Sequence, residues 1–118
     1  MSLALLKIEA IIEEFRKLDS EIASHCMCAL IHVARQEEAG SYATVKDVGL
    51  HLGVSSAAAS RNIAMLSDLN RHKKQGYALV ETWENPDYRI EKFIKLTAKG
   101  KRVIKSIEEL MNGYKPEG

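Results

Sequence analysis

Two short amphipathic helices joined by a tight turn are predicted between residues 44 and 69. In the first helix, apolar residues recur at helical spacing, at Val45, Val48 and Leu52. Thr44 is placed to cap this helix, and Asp47 lies in its first turn. Gly53 ends it, because glycine adopts a positive φ at little cost. Val54 then anchors the turn inward.

The second of these helices has two chemically different faces. Ser55 is a favourable N-cap, since its hydroxyl can accept from free amides in the next turn. One stripe is apolar, at Ala59, Ile63 and Leu66. The opposite face is small or hydrogen-bonding and carries one cation, at Ser56, Ala57, Ser60, Arg61 and Ala64. This layout is typical of a helix-turn-helix, whose second helix docks in the DNA major groove.

Two helices are predicted before this unit. The first covers Ala4 to Leu18, and its apolar stripe is wider than a terminal helix usually hides on its own domain, at Leu5, Ile8, Ile11, Ile12, Phe15 and Leu18. The second begins at a cap provided by Asp19 or Ser20 and continues to about Glu38. Its apolar residues cover most of its circumference, so we expect the central helix of the core. Gly40 and Ser41 end it.

A hairpin and a last helix are predicted after the unit. After a polar, basic loop over residues 70–76, strands are predicted over Tyr77–Trp83 and Arg89–Leu96, joined by a turn at Asn85, Pro86 and Asp87. Thr97 caps a helix that continues to about Asn112. The predicted fold class is mainly α with a small β-hairpin wing, a winged helix-turn-helix with flanking terminal helices. We expect one domain over 1–118, divided into 3–38, 44–96 and 97–112.

The composition is that of an ordinary soluble globular chain, with 46% hydrophobic and 28% charged residues among 118. No apolar run approaches the roughly 20 residues that span a bilayer, and no signal-peptide pattern opens the sequence. We therefore expect a cytoplasmic protein with no membrane partner. Cys26 and Cys28 point to different faces of their helix and should not form a disulfide with each other, which fits a reducing compartment.

Charge is unevenly divided along the chain. Residues 1–40 hold four basic and seven acidic side chains, whereas residues 41–118 hold thirteen and nine. Most of the basic excess lies in Arg71–Lys74 and Arg89–Lys105. Phosphate contact needs such a local surplus. For any single cluster a solvated charged face is the favoured explanation, so the case for phosphate contact rests on the coincidence with the helix-turn-helix.

Residues 44–103 resemble the MarR (multiple-antibiotic-resistance regulator) type of winged-helix transcription factor. The resemblance rests on LGVS, Ser60-Arg61, a GYALVE run, Asp87-Tyr88-Arg89 and LTAKG at Leu96–Gly100. Three features depart from the family pattern. The loop over 71–76 is longer, the interval from Asp87 to Leu96 is about one residue longer, and the terminal helices are short.

The resemblance implies a transcriptional regulator, expected to be a repressor, that binds a pseudo-palindromic double-stranded DNA site as a homodimer. The wide apolar stripes of the N- and C-terminal helices independently favour a dimer, since packing across a two-fold axis would hide both. The two recognition helices would then lie roughly 34–36 Å apart.

Each predicted DNA contact has its own role. Arg61 suits bidentate reading of a guanine edge, Arg89 suits the minor groove at the wing tip, and Asp87 suits bracing Arg89 or the turn. Lys46, Arg71, Lys73 and Lys74 suit phosphates. The DNA-binding residues predicted are Thr44, Lys46, Ser55, Ser56, Ala57, Ala58, Ser60, Arg61, Arg71, Lys73, Lys74, Asp87 and Arg89. For Arg61 the competing interpretation is a surface ion pair with Asp68 or Asp47.

Other chemistry has less support in the sequence. His25, Cys28 and His32 share one helix face, but they lack a fourth ligand, so core packing is favoured over a metal site. We expect no catalytic residues, no enzymatic activity and no cofactor. An alternative is a winged-helix protein–protein interaction module without DNA binding. The sequence shows no convergent polar pocket, so a small-molecule effector is left undefined.

Overall fold

The computed structural model describes residues 2–68, 76–84, 87 and 91–113. In chain order its elements are α1 (Leu3–Arg16), α2 (Ser24–Glu38), β1 (Ala43–Thr44), α3 (Val45–Leu52), α4 (Ser56–Leu66), β2 (Val80–Glu84), β3 (Lys92–Leu96) and α5 (Ala98–Asn112). The predicted fold class is confirmed: helices dominate, and a β-hairpin that belongs to a small antiparallel sheet follows the helix-turn-helix.

Helix α2 is the centre of the core. Its Ala29, Leu30 and Val33 are completely buried, and it packs against α3, α4, α5 and two strands of the sheet. The other large buried side chains come from every part of the fold, at Phe15, Val48, Ile63, Leu66, Leu79, Val80, Ile94 and Leu96. The scaffold role expected of this helix is therefore confirmed.

The sheet has three strands rather than the predicted two. Its order is β1-β3-β2, and both pairings are antiparallel. In the central strand, Phe93 lies opposite Trp83 on one side and opposite Thr44 on the other. The prediction missed β1 because two residues are too few to show the alternation that identifies a strand.

The starts of both predicted hairpin strands were also wrong, since β2 begins at Val80 rather than Tyr77 and β3 begins at Lys92 rather than Arg89. Residues 76–79 bond to the end of α4 instead of to β3. The amides of Tyr77, Ala78 and Leu79 donate to the carbonyls of Met65, Ser67 and Leu66, at 2.8–3.0 Å. Ala78 has a φ of 57°, so the chain turns there before the strand starts.

Helix α2 begins at Ser24, several residues after the predicted cap at Asp19 or Ser20. The Asp19 carboxylate is used elsewhere. It accepts from the amide of Glu21 at 2.9 Å and from the hydroxyl of Tyr77 at 2.6 Å. The Tyr77 hydrogen bond, followed by the Glu21 amide, holds the pKa of Asp19 below its usual value. Desolvation and this carboxylate raise the pKa of Tyr77.

The terminal helices pack on each other and still leave apolar surface exposed. On α1, which ends at Arg16 rather than Leu18, only Phe15 is buried. Leu3, Leu5, Leu6, Ile8 and Ile12 are between 43% and 67% exposed, and Met111 of α5 is 46% exposed. Within the part of the chain that the structure describes, no helix combines the length and apolar character needed to cross a membrane.

Candidate nucleic-acid interface

The N-terminus of α3 is fixed by a complete capping box. Thr44 Oγ1 accepts from the Asp47 amide at 3.1 Å, and Asp47 Oδ2 accepts from the Thr44 amide at 2.6 Å. These bonds satisfy amides that a helix start leaves unpaired. The predicted cap at Thr44 is confirmed, and the reciprocal bond gives Asp47 a defined structural role.

The turn between α3 and α4 depends on small residues. Gly53 ends α3 in the left-handed region with a φ of 69°, as predicted, and Ser55 caps α4 by accepting from the Ala58 amide at 3.1 Å. Gly49 allows the two helices to approach closely. A Cβ at this glycine would lie 3.4 Å from both the Ala59 Cβ and the Val54 carbonyl oxygen.

Helix α4 divides its residues as the sequence predicted. Its buried side holds Ala59, Ile63 and Leu66. Its exposed side holds Ser56, Ala57, Ser60 and Arg61, while Ala58 and Ala64 are half-buried. The face of α4 that the sequence pattern predicted to contact a polar partner is therefore exposed to solvent.

A groove of about 410 Å³ lies between the start of α3, the start of α4 and the first residues of β3. Its lining combines hydroxyls, cations and one carboxylate, from Thr44, Val45, Lys46, Ser56, Ser60, Glu91 and Lys92. Four of the predicted site residues thus share one concave surface. The groove also places the turn end of the hairpin's second strand, at Glu91 and Lys92, beside the recognition helix.

Lys92 and Glu91 line this groove, although the sequence analysis did not select them. Lys92 has the same strand parity as Ile94 and Leu96, which face the core, but it lies beyond the core edge and is exposed. The alternation of β3, extended past the last buried position, was a signal that could have identified it. No comparable signal points to Glu91.

Several predicted contacts fall outside the described residues, namely Arg71, Lys73, Lys74 and Arg89. The loop over 70–75 and most of the wing tip belong to the same gaps. Asp87 is described and exposed. The assignments of these residues stay predictions.

The ion pair proposed as an alternative role for Arg61 does not form in the described structure. Asp47 instead bonds to Thr44 and His32, and no described ion pair involves Arg61 or Asp68. The guanidinium is exposed on α4, next to the groove-lining Ser60. Its donors are available to a polar partner.

His25, Cys28 and His32 do not converge on a common point. Cys28 and His25 are exposed, whereas His32 is buried, with Nε2 2.7 Å from Asp47 Oδ1. Within the described ranges, no three histidine, cysteine or acidic side chains are arranged to hold a metal ion. His51 stacks on His32 with ring centroids 4.1 Å apart, a contact that the sequence did not predict.

A larger cavity of about 660 Å³ lies between α2, α5 and the end of β3. Its floor is aliphatic and its rim is charged, with lining residues Ile31, Ala34, Arg35, Glu37, Glu38, Leu96, Lys101, Ile104, Lys105, Ile107 and Glu108. It shares no lining residue with the α3–α4 groove. No pattern in the sequence indicated this cavity, because its walls come from distant parts of the chain.

Comparison with known proteins identifies the fold through structure rather than sequence. No family model matches the chain, and no curated protein sequence matches it either. Similar solved structures include RV1404 from Mycobacterium tuberculosis (TM-score 0.68, 17% identity, covering 92% of this chain and 66% of that one). The chain thus spans about two thirds of the length of that protein.

Two further structures are similar over nearly the same extent. A cysteine-to-serine variant of E. coli MarR complexed with operator DNA has a TM-score of 0.63 and 19% identity, covering 92% of this chain and 68% of its own. Transcriptional regulator Tm0710 from Thermotoga maritima has a TM-score of 0.65 and 17% identity, covering 91% and 68%. The fold is therefore the winged helix of MarR-type structures, as the sequence resemblance implied.

Proposed function

We propose that this chain is a MarR-type transcriptional regulator that binds double-stranded DNA with α4 in the major groove and the wing in the adjacent minor groove. The observation that carries the proposal is the exposed Ser56, Ser60 and Arg61 face of α4, which adjoins a groove bounded by Lys46 and Lys92. One of the similar structures, E. coli MarR, is complexed with operator DNA.

The side chains of this surface suit separate tasks in DNA binding. Arg61 has no ion-pair partner among the described residues, so its guanidinium can donate two parallel bonds to a guanine edge. Lys46 and Lys92 can neutralise phosphates on either side of the groove. Ser56 and Ser60 supply short hydroxyl donors, and Ala57 is exposed at a position that suits a thymine methyl. These assignments require neither a catalytic group nor a cofactor.

We further propose a homodimer formed through α1 and α5, acting on a pseudo-palindromic site and expected to repress. The exposed aliphatic residues of α1 and Met111 of α5 form more apolar surface than a stable monomer usually leaves in water. A two-fold axis through these helices would cover that surface on both copies and present two α4 helices to one face of DNA.

Selection from a randomised duplex pool tests the proposal directly. We expect enrichment of a two-half-site sequence with half-sites about one helical turn apart. Binding should weaken steeply with added salt, because phosphate contacts release counterions. Recovery of no enriched sequence, together with no binding of random duplex DNA near 50 mM salt, would contradict the proposal.

One observation favours a protein partner as the second candidate function. Tyr42, Trp83 and Phe93 form an aromatic cluster on the sheet, with ring centroids 5.0 and 5.5 Å apart, and Tyr42 is 48% exposed. Exposed aromatic clusters are typical of protein–protein surfaces. The salt titration separates the two functions, since an interaction module without DNA binding shows no salt-dependent association with duplex DNA.

A further inference from the structure

A buried histidine on the core side of α3 contacts the N-terminus of that helix. His32 lies on α2 and is 7% exposed. Its Nε2 is 2.7 Å from Asp47 Oδ1, and the other carboxylate oxygen, Oδ2, accepts from the Thr44 amide. Because an ionised carboxylate can only accept, Nε2 is the donor in this contact. One carboxylate therefore joins the core helix to the capping box of α3.

We infer that His32 is a positioning residue for DNA binding, which sets where Thr44 and Lys46 stand at the edge of the α3–α4 groove. The inference rests on the DNA-binding function proposed above. His32 itself lines no part of the groove, so it acts only through Asp47 and the start of α3.

The geometry limits how freely the Asp47 carboxylate can move. Both of its oxygens are engaged, by His32 and by Thr44, and the His51 ring covers the His32 ring at an interplanar angle of 19°. Helix α3 therefore contacts the His32 ring twice. Asp47 bonds to the ring nitrogen at its edge, and His51 stacks on its face. Loss of the imidazole would release both contacts together.

Asp47 is the only polar partner of the His32 ring among the described residues. No other described hydrogen bond or ion pair reaches that ring. Arg61 of the neighbouring helix α4 is exposed, and Lys95 of β3 pairs with Glu81.

The start of α3 should therefore depend on this one donor. A hydrogen bond that an N–H donates to a carboxylate is stronger than one between two neutral groups. Loss of the His32 donor should let the Asp47 carboxylate and the capping box shift, which would move Thr44 and Lys46 at the edge of the groove.

Two substitutions of the same residue separate positioning from packing. His32→Leu keeps apolar bulk but removes the donor, and we expect DNA affinity to fall about tenfold. His32→Gln keeps an N–H donor, so it should recover most of the affinity. His25→Gln is the matched control, because His25 is exposed on the same helix and makes no described hydrogen bond. It should leave the affinity unchanged.

The measurement is fluorescence anisotropy with a labelled duplex pool of about 30 base pairs, long enough for two half-sites one turn apart. Thermal unfolding of each variant confirms that it is folded at the assay temperature. Because H32L and H32Q differ only in the donor at this position, the difference between their affinities reports the hydrogen bond to Asp47.

The possible outcomes lead to different conclusions. Weak binding by folded H32L, with recovery in H32Q, supports the inference. Wild-type affinity in folded H32L, or equally weak binding by folded H32L and H32Q, overturns it and leaves the proposed function intact. If H32L is unfolded at the assay temperature, His32→Phe, which keeps a ring against His51 and also lacks the donor, takes its place. A wild-type chain that binds no duplex removes the proposed function and this inference with it.

Discussion

At the scale of single residues, the hydrogen bond between Tyr77 and Asp19 links the α1–α2 turn to the segment before the wing. The bond lowers the pKa of Asp19 from its usual value of 3.8. It therefore stabilises the folded state at pH values above 3.8, and this contribution is lost as the pH falls through the lower pKa that Asp19 has in the folded state. We expect Tyr77→Phe to make stability less dependent on pH below about pH 4, as measured by urea unfolding at several pH values.

Tyr42→Phe is the control for this experiment. Its ring packs edge-on against Trp83, and its hydroxyl makes no described hydrogen bond. It should keep the wild-type acid dependence. If Tyr77→Phe also kept that dependence, the Tyr77 hydroxyl would not be the main cause of the low pKa of Asp19.

A second residue-scale prediction concerns Arg61 and Lys46. Arg61→Ala should weaken binding to the selected duplex by roughly 1–3 kcal/mol and relax base preference at one position of each half-site. Lys46→Ala should instead weaken binding to all sequences alike and reduce the salt slope. Competition with base-substituted duplexes at two salt concentrations distinguishes them. Unchanged base preference in Arg61→Ala would remove its assigned role.

Local chemistry explains which residues could be predicted from the sequence. Thr44, Ser55 and Thr97 act as caps as expected, because capping depends on neighbours within three positions. The contact between His32 and Asp47 joins residues fifteen positions apart on different helices. No periodicity encodes such a pair, and the sequence pattern therefore grouped His32 with His25 and Cys28 instead.

At the scale of elements, the junction between α5 and the segment before β2 leaves no room for a side chain. A Cβ on Gly100 would lie 2.0 Å from the carbonyl oxygen of Leu79. That carbonyl accepts from the Thr97 amide, so it cannot move away without breaking a bond. We expect Gly100→Ala to destabilise the fold by at least about 1–3 kcal/mol, measured by thermal or urea unfolding.

Arg102→Ala provides the comparison for that substitution. Arg102 is exposed on the same helix, and alanine favours the helical conformation. Its unfolding free energy should stay within about 0.5 kcal/mol of wild type. Equal stability of Gly100→Ala and Arg102→Ala would show that the backbone at this junction yields more easily than the contact distance implies.

Element type was easier to predict than element boundaries. All five helices and both hairpin strands were expected, because each has a clear apolar period. The starts of α2 and β2 were wrong where tertiary bonds competed with local preference, at Asp19 and over residues 76–79. The lining of the α3–α4 groove was predicted only in part. The contribution of Lys92 was missed because it depends on where the buried part of β3 ends.

At the scale of the whole molecule, exposed aliphatic residues on α1 are the basis for the proposed dimer. Ile8 is 48% exposed on α1, so Ile8→Glu would place a charge in the proposed two-fold interface, where removing it from water would be costly. We expect a monomer by light scattering at micromolar concentration, with a large loss of affinity for the two-half-site duplex. Wild type should scatter as a dimer.

Leu50→Glu tests whether any new surface charge has this effect. Leu50 is 75% exposed and belongs to α3, so it is on neither of the two terminal helices proposed to form the interface. The dimer mass should be retained in this variant. A wild-type protein that is already monomeric would contradict the dimer while leaving DNA binding by a single copy to be tested by the selection experiment.

The two-residue strand β1 has a mechanical consequence. It leads directly into α3, and its pairing with β3 ties the first helix of the reading head to the middle of the wing. Helix α3 and the hairpin should then move together as one rigid unit. A change in the orientation of that unit would alter DNA affinity more than a bend within the wing alone. Amide hydrogen exchange should accordingly show Ala43 and Ile94 opening at one common rate.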